Sequence, residues 1–388
     1  MTASKAEIDE RMTAADRALA GRNPVEARAI LEALVVQDPQ TPEFWQKLAT
    51  VRHVCGAHAA AIAAIDKALE FAPLHFVNLL MRARILDQMN HPDAGEAYGR
   101  ALAQPRPDPL PPALVAAIAR AEAAWSEHKH GLEKRLGATL ERAALDLTPA
   151  ERKRAERLAS NISRRTRTYH SEATHFQYPG LREVEFHDRA LFPWLERLEA
   201  MTDTIAAELD IAANATDAEL VPYVQYNASE PLAQWRELNH NRDWTAIHLL
   251  DRGQQIASNV ANCPQTMNFL ASVPQPWING CGANAMFSLL APRTSIPAHV
   301  GVANFRLLCH LPLIIPGKCW FRVGEEVRQW ERGRAWVFDD SIEHEAANET
   351  DHLRVIMIFD IWHPDLSPAE QAAIAAMVGS ASMPAGAL

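Results

Sequence analysis

The sequence predicts an α+β multidomain protein, with an α-helical repeat at the N-terminus followed by a β-rich domain. Three observations carry that reading. Through residues 13–105, breaker and small residues recur every 34 positions: Pro39, Pro73 and Pro107, with Ala27/Ala61, Ala49/Ala83 and Ala60/Ala94 on the same period. The stretch PRPDPLPP (residues 105–112) ends any helix, because proline has no N–H to give and clashes with the preceding turn. From residue 307 onward, short runs rich in Val, Ile, Phe and Trp alternate with turn residues, which is strand and hairpin chemistry.

Composition narrows the function classes. A chain of 388 residues has room for two or three cores. Hydrophobic content of 48% and charged content of 22% are those of an ordinary globular protein. A net charge of −10 opposes general nucleic-acid binding. The opening MTASKAEIDERMTAADRALAG has no apolar core of a signal peptide, and no apolar run reaches bilayer length, so no membrane partner is expected. Five cysteines, odd in number and without CxxC spacing, read as reduced thiols of a cytoplasmic protein.

In chain order, residues 1–105 form the repeat. A 34-residue period with small residues at helix crossings resembles tetratricopeptide repeats, and about three helix pairs fit. Gly56 and Asn90 fall at equivalent inter-helix turns. Stacked pairs build a curved surface that commonly takes a peptide or protein; an intramolecular spacer is the equal alternative. Residues 106–173 read as a helical linker, helical over 113–146 and again after the cap Thr148-Pro149-Ala150-Glu151. Its basic run (Arg152, Lys153, Arg154, Arg157, Arg164, Arg165, Arg167) is more often a solvated face than an anion site. Residues 174–378 form the β domain, with a helix over 192–209 covering one side. Residues 219–287 read as strands and rim loops, with Trp235, Trp244, Gln254 and Asn262 as candidates for substrate contact. Ser367 caps a last helix to Val378, and 379–388 are expected to be a disordered tail.

The chemistry concentrates in residues 299–363. LLCHLPLIIP, CWFRVG, RAWVFDD and LRVIMIFDIW read as strands of a sandwich or jelly roll. On an extended run Arg306, Leu308 and His310 share a face. Arg354 opens the most apolar strand, where a cation is costly to bury unless an anion meets it. His299, before the first strand, and His344, between later ones, could converge across the roll; imidazoles suit ferrous iron, and a nearby Arg suits a carboxylate. Taken singly, a histidine is more often a core or surface residue and an arginine an ion-pair partner. Spacing alone therefore defines a β-sandwich and leaves metal binding open.

The combined motifs are more specific. His299-x-Gly301, Asn304, Arg306, His310 and Pro316, then Arg322, Trp330, Gly333 and VFDDS (337–341), then Glu343, His344, Glu345, Arg354 and DIWHP (360–364) resemble the aspartyl/asparaginyl β-hydroxylase family of Fe(II)/2-oxoglutarate dioxygenases. The resemblance implies a double-stranded β-helix (jelly-roll) catalytic domain. It implies Fe(II) held by His299 and His344, and 2-oxoglutarate held at its distal carboxylate by Arg354 and Ser288. His310 and Arg306 would approach its other end, and O2 would be the oxidant. The implied reaction is hydroxylation of an Asp or Asn side chain in a peptide or protein, releasing succinate and CO2. The same chemistry on a small molecule or acyl chain, and a catalytically inactive repeat-bearing adaptor, are the alternatives. Asn304 is a further candidate, equally a turn residue. Two positions depart from related enzymes. Gly301 stands where most of the superfamily carries a carboxylate, as it does in this family and also in iron-dependent halogenases. Leu308 stands where better-studied members carry a second Arg, leaving Arg306 or Arg322 to substitute.

Overall fold

The computed structural model describes residues 5–143, 146–216, 219–227 and 233–381. The chain divides into two compact units, Met1–Thr166 and Arg167–Leu388, each with its own buried clusters.

The first unit is helical. Helices α1 (Lys5–Ala20) and α2 (Pro24–Gln37), α3 (Pro42–Val54) and α4 (His58–Phe71), and α5 (Phe76–Gln88) and α6 (Ala94–Leu102) pack as successive pairs, giving the expected three tetratricopeptide-like pairs. Each pair turns through a left-handed residue: Arg22 (φ 60°), Gly56 (φ 72°) and Asn90 (φ 51°), spaced by the same 34 residues. Gly and Asn adopt that conformation readily, whereas Arg22 gives no such signal in sequence. Ala27, Ala49, Ala61 and Ala83 are fully buried where helices cross, since a methyl side chain lets the backbones approach. Helix α7 (Pro112–Ala143) packs on α6, with Trp125 against Gly99. Helix α8 (Pro149–Ile162) opens with the Thr148/Glu151 capping box. Within the basic run, Arg152, Arg164 and Arg165 meet Glu141, Glu96 and Glu133. Among the described residues no helix is long and apolar enough to cross a membrane.

The second unit is built on two antiparallel sheets. The strands are β1 (Leu220–Pro222), β2 (Trp244–Asp251), β3 (Gln254–Gln255), β4 (Ala285–Leu290), β5 (Thr294–His299), β6 (Arg306–Ile314), β7 (Cys319–Val323), β8 (Glu326–Gln329), β9 (Trp336–Phe338), β10 (His344–Asn348) and β11 (Arg354–Trp362). The large sheet runs β1-β2-β4-β11-β6-β9, with β3 on β2, and the small sheet runs β5-β10-β7-β8. Alternation assigns the faces. Val355, Met357, Phe359 and Ile361 join Leu307, Cys309 and Leu311 in one core, under helices α9 (Leu195–Ala200), α10 (Thr202–Asn214) and α12 (Pro264–Leu270). Ile356 and Ile358 face the other way, onto Phe321, Val323 and Ala346 of the small sheet. Strand β11 is thus covered on both faces, and all nine of its residues are buried.

Three local expectations change. The helix expected over 192–209 is two helices, broken at Met201, where the Thr202 hydroxyl donates to the Glu199 carbonyl at 2.6 Å. NVANCPQTMNFL, read as strand and loop, forms α11 (Ala257–Val260) and α12. A distant residue makes α12: the Glu208 carboxylate accepts from Gln265 N at 2.7 Å, Thr266 N at 2.9 Å and Thr266 Oγ1 at 2.6 Å, satisfying donors no local side chain reaches. The last helix, α13 (Pro368–Ser380), has the expected Ser367/Glu370 capping box and runs two residues past Val378. Residues 382–388 of the expected tail lie outside the described residues.

Asn348 ties the two sheets together. From β10 its amide nitrogen reaches Leu290 O (3.1 Å), Ala291 O (3.0 Å) and His352 O (2.8 Å), and its oxygen accepts from Thr350 N and Oγ1. Asn348→Ala is expected to lower unfolding free energy by about 2–4 kcal/mol, because it strands buried carbonyls; urea denaturation reads this directly.

His187 adds a pH dependence. It is buried, its Nε2 has no partner among the described residues, and burial lowers its pKa to about 4, with the His363 ring 5.2 Å away acting in the same direction. Its folded pKa lies below the unfolded one, so its contribution is complete above the unfolded value and lost as pH falls from 6.5 towards 4. The loss is on the order of 3 kcal/mol at most. His187→Phe should flatten the stability profile across that window.

Candidate active site

His299 closes β5 and His344 opens β10, and the two are direct partners across the small sheet. They do not converge from separate parts of the domain; they are cross-strand neighbours, with ring centroids 4.0 Å apart. The register slips between His344 and Ala346, where β5 carries one residue more than β10. Pro297 sits in that bulge, a position that suits a residue without an N–H. The Pro297 carbonyl accepts from His299 Nδ1 at 2.7 Å, and the Ile342 carbonyl accepts from His344 Nδ1 at 3.0 Å. A carbonyl only accepts, so each Nδ1 carries the hydrogen and each Nε2 keeps its lone pair. Burial lowers the two pKa values, to about 3 for His299 and about 4 for His344, so both rings are neutral at pH 7. Neutral imidazoles with oriented Nδ1–H groups are the donor chemistry a ferrous ion needs. Among the described residues no three His, Cys, Asp or Glu side chains form a metal cage, so a metal here would rest on two protein ligands.

The absent third carboxylate has a structural reason. A Cβ on Gly301 would fall 2.1 Å from Asp340 Oδ2, so the Asp340 carboxylate already fills the space of a side chain at 301. Asp340 Oδ1 is buried with no partner among the described residues, while Oδ2 accepts from Arg306 Nη2 at 3.1 Å. Gly301→Asp is therefore expected to displace Asp340 and lower stability. A melting curve checks this; a variant that melts with the wild type would contradict it.

Arg354 is 1% exposed, and among the described residues no carboxylate meets it. Its Nη1 donates weakly to Ser288 O (3.3 Å) and Ser288 Oγ (3.4 Å), its Nε has no partner among the described residues, and it lies over the Trp330 ring. Burial pulls its pKa down to about 10. Trp244 Nε1 donates to Ser288 Oγ at 3.0 Å and stacks on Tyr223 at 3.8 Å. His310 is buried, its Nδ1 has no partner among the described residues, and burial and Arg354 keep it neutral. Ring contacts run from His344 to Phe321 (5.8 Å), to His310 (5.0 Å), to Trp330 (6.0 Å) and on to Arg354 (4.8 Å).

The other candidates divide. Leu308 lies on the Arg306 and His310 face, against the inter-sheet core. Arg322 binds Glu343 and Glu345 instead of substituting for the missing Arg. Trp235 contacts His299 edge-on at 4.8 Å. Gln254 lies on β3, at the far end of β2 from Trp244, and Asn262 bonds to Ser258 O. Asn304 clamps Tyr178, through Oδ1 to its N and Nδ2 to its O, and so fixes the chain entering the domain. Tyr223 and Asp340 are additions that sequence reading missed as site residues. Burial raises Tyr223 to about 12, with Arg306, Asp340 and Arg354 near enough to act on it.

Two antiparallel sheets enclosing an imidazole pair and an unpaired buried guanidinium define a candidate enzyme domain, and the comparisons place it. The family model for aspartyl/asparaginyl β-hydroxylase matches residues 199–364, which contain every candidate site residue above except the Tyr178 contact. Aspartate β-hydroxylase domain-containing protein 2 of Xenopus tropicalis is 33% identical over 48% of this chain and 51% of its own. The ornithine lipid ester-linked acyl 2-hydroxylase of Rhizobium tropici is 32% identical over 51% of this chain and 68% of its own. The human aspartyl/asparaginyl β-hydroxylase is 32% identical over 38% of this chain and 19% of its own. The chain belongs to the aspartyl/asparaginyl β-hydroxylase family. It spans about half the length of the first curated relatives it matches.

Proposed function

We propose that this chain is an Fe(II)- and 2-oxoglutarate-dependent hydroxylase using O2. The observation that carries the proposal is the neutral pair His299 and His344, side by side across the small sheet with each Nδ1–H anchored on a backbone carbonyl. Bound together, the metal and cosubstrate supply the oxygen-activating chemistry that hydroxylates an unactivated C–H bond, with release of succinate and CO2. His299 and His344 hold the metal. Arg354 and Ser288 pair with the distal carboxylate of 2-oxoglutarate, and Trp244 orients the Ser288 hydroxyl. Arg306 and His310 face the proximal end, and Phe321, Phe338 and Trp330 keep water out of the slot.

The substrate we propose is an Asp or Asn side chain of a peptide or protein, with the helix pairs as a binding surface for the polypeptide. A second reading, an acyl chain or small molecule, is favoured by Leu308, an apolar side chain on the face shared by Arg306 and His310. The similarity to the acyl 2-hydroxylase of Rhizobium tropici points the same way. Incubation with Fe(II), 2-oxoglutarate and either a peptide library or acyl lipids separates the two by which pool gains the mass of one oxygen. No succinate release in the presence of either pool would favour the inactive adaptor.

A further inference from the structure

We propose that Arg322 is the positioning residue for His344, acting from the outer face of the small sheet; the inference rests on the metal reading above. In the β7–β10 pairing, Val323 stands opposite His344 and Arg322 opposite Glu345. Val323 and His344 face the inter-sheet core, so Arg322 and Glu345 lie on the other side. The guanidinium grips three points: Nε to Glu345 Oε1 at 2.6 Å, Nη2 to Glu343 Oε1 at 3.0 Å and Nη1 to Gly324 O at 2.7 Å. Glu343 and Glu345 are the residues immediately before and after His344. One planar fork thus holds the chain on both sides of the imidazole, which only Arg geometry allows. The Tyr169 ring lies 5.4 Å from the guanidinium and shields it.

The bulge makes this clamp matter. On the β5 side, Glu345 faces the slipped segment around Pro297 and lacks a regular ladder partner. Strand β10 is therefore weakly tied at the residue next to His344, on the edge where His299 must meet it. Arg322 ties that residue from the β7 side instead. Metal sites tolerate displacements of only about 0.5 Å in their ligands, so the clamp bears on metal affinity more than on the fold.

The test is equilibrium dialysis of the full chain against Mn(II), with thermal melts of the metal-free protein. Arg322→Met is expected to fold and to bind Mn(II) about tenfold more weakly, the lower end of the loss when a hydrogen-bond partner of the ligand itself is removed, because Arg322 holds the residues on either side of His344 and not the ring. Arg322→Lys, whose single ammonium does not span both carboxylates, should fall between Arg322→Met and the wild type. Should Arg322→Met fail to fold, Glu345→Ala carries the same expectation with Arg322 in place. A folded Arg322→Met or Glu345→Ala with wild-type Mn(II) affinity overturns the inference. Wild-type protein that binds no Mn(II) overturns the metal reading instead.

Discussion

Replacing His344 with alanine is expected to eliminate 2-oxoglutarate turnover and metal binding while leaving the protein folded. A site with two protein ligands has no redundancy, so one truncation leaves a single imidazole. The ring is buried between Phe321 and Phe338, and its loss leaves a cavity costing about 1–3 kcal/mol, well short of the stability of a domain this size. The Nδ1–H bond to Ile342 O is local, so nothing distant depends on it. Succinate formation and a metal-binding isotherm read the two effects. A variant with wild-type turnover would remove His344 from the site.

Arg354→Met is expected to raise the 2-oxoglutarate requirement by on the order of 10²–10³-fold, with little change for the prime substrate. Truncating one partner of a buried charge pair costs about 2–5 kcal/mol, and each 1.4 kcal/mol is about tenfold. The same change should not destabilise the cosubstrate-free protein, and should raise its melting temperature. Among the described residues no carboxylate meets the buried Arg354 cation, and the long bonds to Ser288 and the Trp330 ring compensate its desolvation only in part until an anion arrives. That pairing of weaker cosubstrate binding with a more stable free protein distinguishes a binding residue from a structural one. An unchanged requirement would remove Arg354 from the cosubstrate site.

Much of the fold was legible in the sequence because its signals are local. The runs at β6, β7, β9 and β11 are β-branched and aromatic between turn residues, and the helix pairs carry a 34-residue period. What sequence reading missed depends on partners far along the chain. HEAAN, which forms β10, has weak strand propensity and is held by β5 on one side and β7 on the other. The adjacency of His299 and His344 exists only once those strands pair. Glu208 capping α12 and Asp340 filling the space beside Gly301 are likewise tertiary. Gln254 and Asn262 lie in the rim segment 219–287, where position alone marks many residues equally. The candidate site was legible where residue types are costly without a function: a lone Arg opening an apolar strand, and two histidines within strongly patterned segments.

The most direct test of the central claim is an anaerobic titration of the purified chain with Fe(II) and then 2-oxoglutarate, followed by visible absorption. The two-histidine reading predicts a charge-transfer band that appears only with both components, saturates at one equivalent of metal and is lost in His299→Ala. Folded wild-type protein that binds neither Fe(II) nor 2-oxoglutarate would contradict it.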